Sequence, residues 1–457
     1  MEKIISINPS DKSVIGEVTA TPKSEIENKV KQARTALKGW NEIGVAGRVE
    51  HLKRVVTGLK AKEKEFSELS SKEMGMPVSQ SKHDVAGAIE YLEWYLDNAK
   101  KYLKPEIVYE DETQIHTVHR EPVGVVAAIT PWNFPASNFV WMCGQNLVAG
   151  NTVVFKDSEE VSLCGKLIEE IIQDANLPDG VFSEIYGDGE EGKMLVEQDI
   201  DIICFTGSTA TGKALYKIAA EKFIKVFLEL GGSAPGIILE DADIDKVIET
   251  VYANRFDNCG QICDGLKRLI VHESKYEEVI AKLTKILQSV TIGNASDITT
   301  DVGPLASEKQ LLSLKAQVQD AVSKGARVAF ESKLPSDLDG FYYPPTILTN
   351  ISSNMSVWNE EVFGPVLPIM SFKTIDEAIA LANDTKYGLG GYIFTEDKHK
   401  AEKISKQVKT GMIQMNNTCY VSPASPFGGC KSSGIGREHG KFGFYDLTEL
   451  KLIVLEK

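Results

Sequence analysis

Basic residues, histidine and cysteine are all in short supply. Lysine and arginine number 50 against 65 acids, giving a formal net charge of −15. That balance argues against a nucleic-acid or anionic-membrane partner, because phosphate surfaces recruit net positive ones. No apolar run approaches the roughly 18 residues that a membrane span needs. The opening Met1-Glu2-Lys3-Ile4-Ile5 has no apolar core before a small-residue cleavage site, so no leader is expected and the expected location is cytoplasmic. The 7 histidines lack metal-ligand spacing. The nearest pair, His116 and His119, would lie on opposite faces of an extended segment, so no metal is expected. The 7 cysteines are odd in number and irregularly spaced, which fits free thiols in a reducing compartment rather than a disulfide framework.

What is present is ordinary globular texture: 42% hydrophobic and 25% charged residues over 457 positions, enough for two sizeable domains. Ile4 to Asn8 and Val14 to Val18 read as strands around a turn at Pro9-Ser10-Asp11. Ile26, Val30, Ala33, Leu37 and Trp40 recur with helical spacing, behind Ser24 and Glu27 at capping-box separation. Two further helices are expected over Gly47 to Lys72 and Val78 to Leu103. From Val125 the pattern becomes α/β. Short apolar runs at Val125 to Ile129, Val153 to Phe155, Phe182 to Tyr186, Ile202 to Phe205 and Val226 to Leu228 alternate with helices at Leu163 to Ala175 and Gly212 to Lys222. This predicts a doubly wound parallel sheet. After Gly232 the texture resumes at Gly236 to Leu239, Leu269 to Val271, Tyr392 to Thr395 and Gly411 to Met415, predicting a second α/β domain. Val108 to Arg120 and Leu450 to Leu455 are strand-like and belong to neither sheet.

Two glycine motifs compete for a phosphate. Gly187-Asp188-Gly189-Glu190-Glu191-Gly192 has G-x-G-x-x-G form, but it follows the third strand and carries two glutamates that would repel a pyrophosphate. Gly207-Ser208-Thr209-Ala210-Thr211-Gly212 lies at a strand end and opens a helix, where free N–H groups and the helix dipole favour an anion. The Ser208 hydroxyl is positioned to add one hydrogen bond. Cys263, in Asn258-Cys259-Gly260-Gln261-Ile262-Cys263, follows Glu229-Leu230-Gly231-Gly232. A thiol, an acid and the upstream amide of Asn133 are the parts needed to oxidise an aldehyde covalently.

With Pro131-Trp132-Asn133-Phe134-Pro135, Phe205-Thr206-Gly207-Ser208-Thr209, Glu361-Val362-Phe363-Gly364-Pro365 and Pro426-Phe427-Gly428-Gly429, these boxes run in the order of the NAD(P)-dependent aldehyde dehydrogenases. The chain resembles that family over essentially its whole length, nearest to its short succinate-semialdehyde branch. The resemblance implies two doubly wound α/β domains plus a small β oligomerisation arm: 1–103 and 122–231 for NAD, 232–431 for catalysis, and 104–121 with 440–457 as the arm of a homodimer or homotetramer. It makes Cys263 the nucleophile, Glu229 the base and Asn133, with the Cys263 N–H, the oxyanion donors. Cofactor contacts are expected from Thr130, Pro131, Trp132, Asn133, Lys156, Glu159, Gly189, Phe205, Thr206, Gly207, Ser208, Thr211, Glu229, Leu230, Gly231, Glu361 and Phe363. Lys156 and Glu159 would hold the adenine ribose, with Asp157 in place of the family's proline. A glutamate there accepts from both ribose hydroxyls and repels a 2′-phosphate, so NAD is favoured and NADP remains open. The block from Pro426 to Gly436, with Arg437, reads as a mainly structural turn closing the funnel.

The branch's carboxylate-binding arginines are absent: Trp141 and Asp257 stand in their places, and Asp264 follows the nucleophile. With Ser422 and Ser425 as polar contacts, these residues make the expected substrate pocket, suited to a neutral or cationic aldehyde; succinate semialdehyde is the alternative. Two other functions compete. A CoA-acylating relative typically lacks the glutamate base, and a non-catalytic protein on this fold would not need thiol, amide and acid together.

Overall fold

Runs of small and β-branched residues with no polar interruption can only be satisfied between two layers of helix, and that is where they lie. Val125, Val126, Ala127, Ala128, Val153 and Val154 are fully buried in the computed structural model, which describes residues 2–457. They belong to a 6-stranded sheet. Its order is Gly434–Ile435, Lys225–Leu230, Ile202–Gly207, Val125–Ile129, Thr152–Lys156 and Phe182–Ile185, all parallel except the first. The chain enters at Val125–Ile129, winds outward to Phe182–Ile185, then returns to the other side at Ile202–Gly207. Between Val125–Ile129 and Ile202–Gly207 the winding reverses, and a crevice opens at the carboxyl ends of those strands, the usual position for a dinucleotide.

Lys225–Leu230 leads through Gly231 and Gly232 directly into Ala234–Ile238, the middle of a 7-stranded sheet. That sheet runs Arg327–Glu331, Thr346–Thr349, Val366–Phe372, Leu266–His272, Ala234–Ile238, Tyr392–Phe394, Gln414–Met415, with only the first strand antiparallel. Its first three strands are not evident in the sequence. Prolines at 344, 345 and 368 interrupt their apolar runs, and Arg327–Glu331 is an exposed edge.

The N-terminal strands Lys3–Ile7 and Val14–Thr19 pair as expected. The Ser24–Glu27 capping box does not form. The helix begins at Lys23, and the Pro22 carbonyl accepts from the N–H groups of Glu25 and Ile26 at 2.9 and 3.1 Å. Two helices, Gly44–Ala61 and Glu63–Met74, replace the single one expected over Gly47 to Lys72. The break is at Lys62, whose ammonium reaches Glu170 on another helix at 3.1 Å. Val108 to Arg120 is a hairpin, Glu106–Glu110 with Gln114–Pro122. Asp111 Oδ1 turns it by accepting from the N–H groups of Thr113 and Gln114 at 2.7 and 3.0 Å. Thr448–Glu456 pairs along Gln114–Pro122, completing a separate 3-stranded ribbon. The helix Gly440–Asp446, within the stretch expected for the arm, instead packs on the helices Val78–Tyr102 and Gln145–Ala149 beside the cofactor sheet.

Trp40 ties the first long helix to this sheet. Its side chain is 1% exposed, and its indole N–H donates to the Leu147 carbonyl at 2.9 Å. Trp40→Ala is expected to cost about 3–5 kcal/mol through the cavity it leaves, read as a lowered urea midpoint. An unchanged midpoint would show that this helix does not hold the cofactor sheet.

Candidate active site

The two sheets meet at Gly231 and Gly232, and both positions are too crowded for a side chain. A Cβ on Gly231 would lie 2.2 Å from Glu361 Oε2, and one on Gly232 would lie 2.4 Å from the Cys263 carbonyl oxygen. Their absence lets the cysteine loop and the Glu361 carboxylate close against the end of Lys225–Leu230, which carries Glu229. The result is a cleft of about 570 Å³ into which Cys263, Glu229 and Asn133 all project.

The cysteine loop is strained. Asn258, Cys259 and Gly260 have φ of 50°, 54° and 71° in succession, left-handed conformations that cost energy for non-glycine residues. Asn258 offsets this with two bonds: its Nδ2 donates to the Asn133 carbonyl at 2.8 Å, and its N–H donates to Gln80 Oε1 at 2.7 Å. Asn133 Nδ2 donates one hydrogen to the Gln261 carbonyl at 3.0 Å, which fixes the amide plane. Its second hydrogen is left for a ligand. The Cys263 N–H has no acceptor among the described residues. Two such donors beside a thiol can stabilise an alkoxide.

Acids surround the thiol. Cys263 Sγ lies 3.8 Å from Asp264 Oδ1, and burial followed by Asp264 and Glu361 pushes the thiol well above its ordinary pKa. Glu229 is 3% exposed, and neither of its carboxylate oxygens has a protein partner. Burial, then the neighbouring Glu438, holds it well above the usual carboxylate range. Glu438 itself is pushed up to about 8 by burial. Asp257 rises to about 6 through burial and Asp301. A thiol and a carboxyl in this state rest protonated, so nucleophilic attack requires a proton to leave the thiol.

The crevice at the sheet's reversal point fits a dinucleotide. Ser208 caps the helix Thr209–Lys222. Its hydroxyl accepts from the Thr211 N–H at 3.1 Å and lies 2.9 Å from Thr211 Oγ1, which shapes the helix end. Lys156 ends Thr152–Lys156 with its ammonium 97% out of contact with water and only the Asp157 carbonyl, at 2.8 Å, as partner. Two donor hydrogens remain for a ribose. The Thr130 N–H donates to the Lys156 carbonyl at 3.0 Å, holding the two strand ends in register. Glu159 follows in an exposed turn. In the competing glycine motif, Asp188 and Glu191 form a capping box that uses the N–H groups of Glu190 and Asp188, leaving Gly189 a helix start rather than a phosphate cradle.

Of the residues singled out in the sequence, Pro131, Trp132, Thr206, Gly207, Ser208, Leu230, Gly231, Glu361, Phe363, Trp141, Asp257 and Asp264 line the same cleft as the catalytic three. Thr130, Lys156, Glu159, Gly189, Phe205 and Thr211 lie outside it, around the carboxyl ends of the cofactor sheet. Phe205 packs beneath Gly207, whose Cβ would lie 2.5 Å from the ring. Ser422 and Ser425 do not line the cleft. The Ser425 N–H closes a turn onto the Ser422 carbonyl at 3.0 Å, and that turn presents Val421 and Phe427 instead.

Several functional residues escaped the sequence reading. The Pro426 block and the residues after it are more than structural. Phe427 and Glu438 exchange N–H···O bonds of 2.9 and 2.8 Å and both face the cleft. Lys267 is fully buried, 3.5 Å from Glu361 Oε1 and 4.5 Å above the Phe363 ring, and burial lowers its pKa to about 8. Trp141 sits on a π-helical turn, Val140–Gly144, and packs on Tyr91, His439 and Phe427 at 5.5, 5.2 and 6.2 Å. Those rings come from three distant segments, and no local pattern announces them.

The chain matches the model of the aldehyde dehydrogenase family over residues 1–453. Among curated relatives, a glutarate-semialdehyde dehydrogenase of Pseudomonas aeruginosa is 34% identical over 450 residues, covering 98% of this chain and 93% of that protein. A peroxisomal aminoaldehyde dehydrogenase of Pisum sativum is 35% identical over 463 residues, covering 99% and 92%. The NAD+ complex of an aldehyde dehydrogenase from Bacillus cereus superposes with a TM-score of 0.96 at 31% identity, covering 100% and 93%. The chain belongs to the aldehyde dehydrogenase family: it oxidises an aldehyde to a carboxylic acid, with NAD or NADP as hydride acceptor.

Proposed function

We propose that Cys263, Glu229 and Asn133 carry this oxidation and that the substrate is a neutral or cationic aldehyde rather than a carboxylate semialdehyde. The observation behind the substrate reading is the charge of the cleft. Asp84, Glu229, Asp257, Asp264, Glu361 and Glu438 line it, and no lysine or arginine does. Arg255, near the cysteine loop, is 1% exposed, donates from Nη2 to the Val362 carbonyl at 3.2 Å and does not line the cleft. An anionic tail would find no counter-charge, whereas an ammonium tail would meet Asp264 and the faces of Tyr91, Trp141 and Phe427.

In this reading Cys263 Sγ adds to the aldehyde carbon, and its proton passes to Glu229 once that carboxyl has itself been ionised. The Asn133 amide and the Cys263 N–H take the resulting alkoxide. Pro131, Trp132, Leu230, Glu361 and Phe363 would hold the nicotinamide half of the cofactor, and Lys156 and Glu159 would hold the adenine ribose; the dinucleotide, when bound, would supply the hydride acceptor. Glu229, after releasing the thiol proton to solvent, then deprotonates the water that hydrolyses the Cys263 thioester. Glu159 at the ribose favours NAD over NADP. The seven free thiols suit a reducing, cytoplasmic setting. The separate 6-, 7- and 3-stranded sheets support a division into residues 1–103 with 122–231, 232–431, and 104–121 with 440–457, except that Gly440–Asp446 packs on the cofactor side. Ile107, Val108, Tyr109, Leu450, Leu452 and Val454 are exposed on the ribbon, and we assign that face to contact between copies in a homodimer or homotetramer. Light scattering should therefore report a dimer or larger species; a monomer at micromolar concentration would contradict the assignment.

Cys263→Ala is expected to lower turnover by roughly a thousandfold or more while NAD still binds, because the thiol bonds only the substrate. Comparable turnover would remove Cys263 as nucleophile. A carboxyl with a raised pKa is a base only above that pKa, so with Glu229 held well above the usual carboxylate range, parent turnover should climb as pH rises beyond that range. Glu438→Gln removes a like charge beside Glu229 and should move this limb to lower pH. A pH profile unaltered by Glu438→Gln would sink the coupling.

For specificity, butanal and 4-aminobutanal should each have kcat/KM at least equal to that of succinate semialdehyde. A missing charged hydrogen bond, at about 1.5–3 kcal/mol, handicaps the acid by roughly 10- to 100-fold. Asp264→Asn should lower the aminoaldehyde relative to butanal by roughly 3- to 10-fold. A strong preference for succinate semialdehyde would overturn the substrate reading.

A further inference from the structure

Beneath Lys156 lies a second pair of acids that the oxidation does not use. Asp157 is 4% exposed with Oδ2 unpartnered, and Glu184, on Phe182–Ile185, is 1% exposed with both oxygens unpartnered. A Cβ on Gly165 would lie 2.2 Å from Asp157 Oδ2 and 2.3 Å from Glu184 Oε1, so the two carboxyl groups converge on one point where only a glycine fits. Two carboxylates this close and this dry resist ionising together, because burial removes water and the Gly165 N–H beside Asp157 compensates only part of the second charge.

The surroundings are mostly acidic. Lys156, on the adjacent strand, is the nearest cation to Asp157, with Glu73 on Glu63–Met74 and Glu159 in the following turn as like charges. Glu184 faces Glu169 on Ser162–Asp174 and Lys29 on Lys23–Glu42. The Lys29 ammonium is committed to the Glu184 carbonyl at 2.5 Å, and Glu169 accepts from the Tyr186 hydroxyl at 2.9 Å. Glu73 accepts from the N–H groups of Leu163 and Cys164 at 2.7 and 2.8 Å and from the Ser6 hydroxyl at 2.8 Å, so it is compensated and stays out of the pair. The Cys164 thiol, beside Glu73, is pushed well up by burial. On the far side Lys156 also faces Glu191 and Asp188. Burial drives both Asp157 and Glu184 well above the usual carboxylate range, and Lys156 draws each part of the way back.

We propose that Asp157 and Glu184 keep one proton between them and act as a graded electrostatic filter on the adenosine end of the cofactor. The single charge of the half-protonated pair balances Lys156. When the remaining proton leaves, the pair becomes doubly negative behind the ribose and discriminates further against the 2′-phosphate of NADP, while NAD, which ends there in a neutral hydroxyl, is little affected. The proposal deepens the NAD preference stated above and rests on Lys156 holding the adenine ribose.

The test is the ratio of Kd for NADP to Kd for NAD, measured by calorimetry on the full-length protein from pH 7.5 to 9.5. The 2′-phosphate is already a dianion there, its second pKa being about 6. The parent ratio should climb by roughly 3- to 10-fold, the size of one added charge acting on a dianion through partly solvated protein. Asp157→Asn and Glu184→Gln each leave one carboxyl, and each should flatten the climb. The second variant serves if the first fails to fold. A flat parent ratio, or a climb that survives both variants, overturns the filter. Lys156→Met separates the alternatives. Unchanged NAD affinity would remove Lys156 from the ribose. A climb abolished by Lys156→Met but kept in both carboxyl variants would assign the titration to the lysine and overturn the filter, leaving the ribose reading intact.

Discussion

At Gly231 and Gly232 the backbone passes from one sheet to the other with no room for a β-carbon on either side, because Glu361 presses from one face and the Cys263 carbonyl from the other. That close approach places residues from two separately wound sheets within one small cleft. Glu229 ends a strand of the first sheet, Cys263 precedes a strand of the second, and Asn133 follows the central strand of the first. The left-handed turn at Asn258 and Cys259 is tolerated because Asn133 and Gln80 hold it from the cofactor side. Cys263, Glu229 and Asn133, the proposed nucleophile, base and oxyanion donor, are thus brought together at the junction.

The same junction excludes water, and this decides the acid chemistry. A carboxyl with no hydrogen-bond partner, such as Glu229, is expensive to ionise in a dry cleft, so burial and then Glu438 hold it well above the usual carboxylate range. A group that takes up and gives up a proton in turn can serve both thiol attack and hydrolysis. Lys267 shows the converse, a buried ammonium kept by Glu361 and the Phe363 face. With the cleft lined by carboxyl groups and by no lysine or arginine, the proposed selectivity rests on repulsion as much as on fit.

The strand-forming runs from Val125 to Leu228 and the boxes around Asn133, Glu229 and Cys263 were legible because each is local: a buried parallel strand reads as an unbroken apolar run, and each box carries its own glycines. Contributions assembled from distant segments were not legible. Phe427 and Glu438 reach the cleft only because they bridge each other, and Tyr91 meets Trp141 only through a π-helical turn. The serines at 422 and 425 show the opposite case: a polar loop near the site was read as substrate contact, and the loop lines the cleft with Val421 and Phe427 instead. Glu184, inside the run Phe182 to Tyr186 expected as a buried strand, was not singled out in the sequence. Its burial depends on Gly165 lying across from it.

The central claim is that the junction delivers a Cys263 thioester to Glu229 for hydrolysis. Mass spectrometry of intact Glu229→Gln protein, quenched seconds after mixing with NAD and butanal, tests it directly. The account predicts an acyl adduct that peptide mapping assigns to Cys263 and that the parent enzyme does not accumulate. An adduct on any of the other cysteines, or a Glu229→Gln protein that turns over at the parent rate with no adduct, would contradict it.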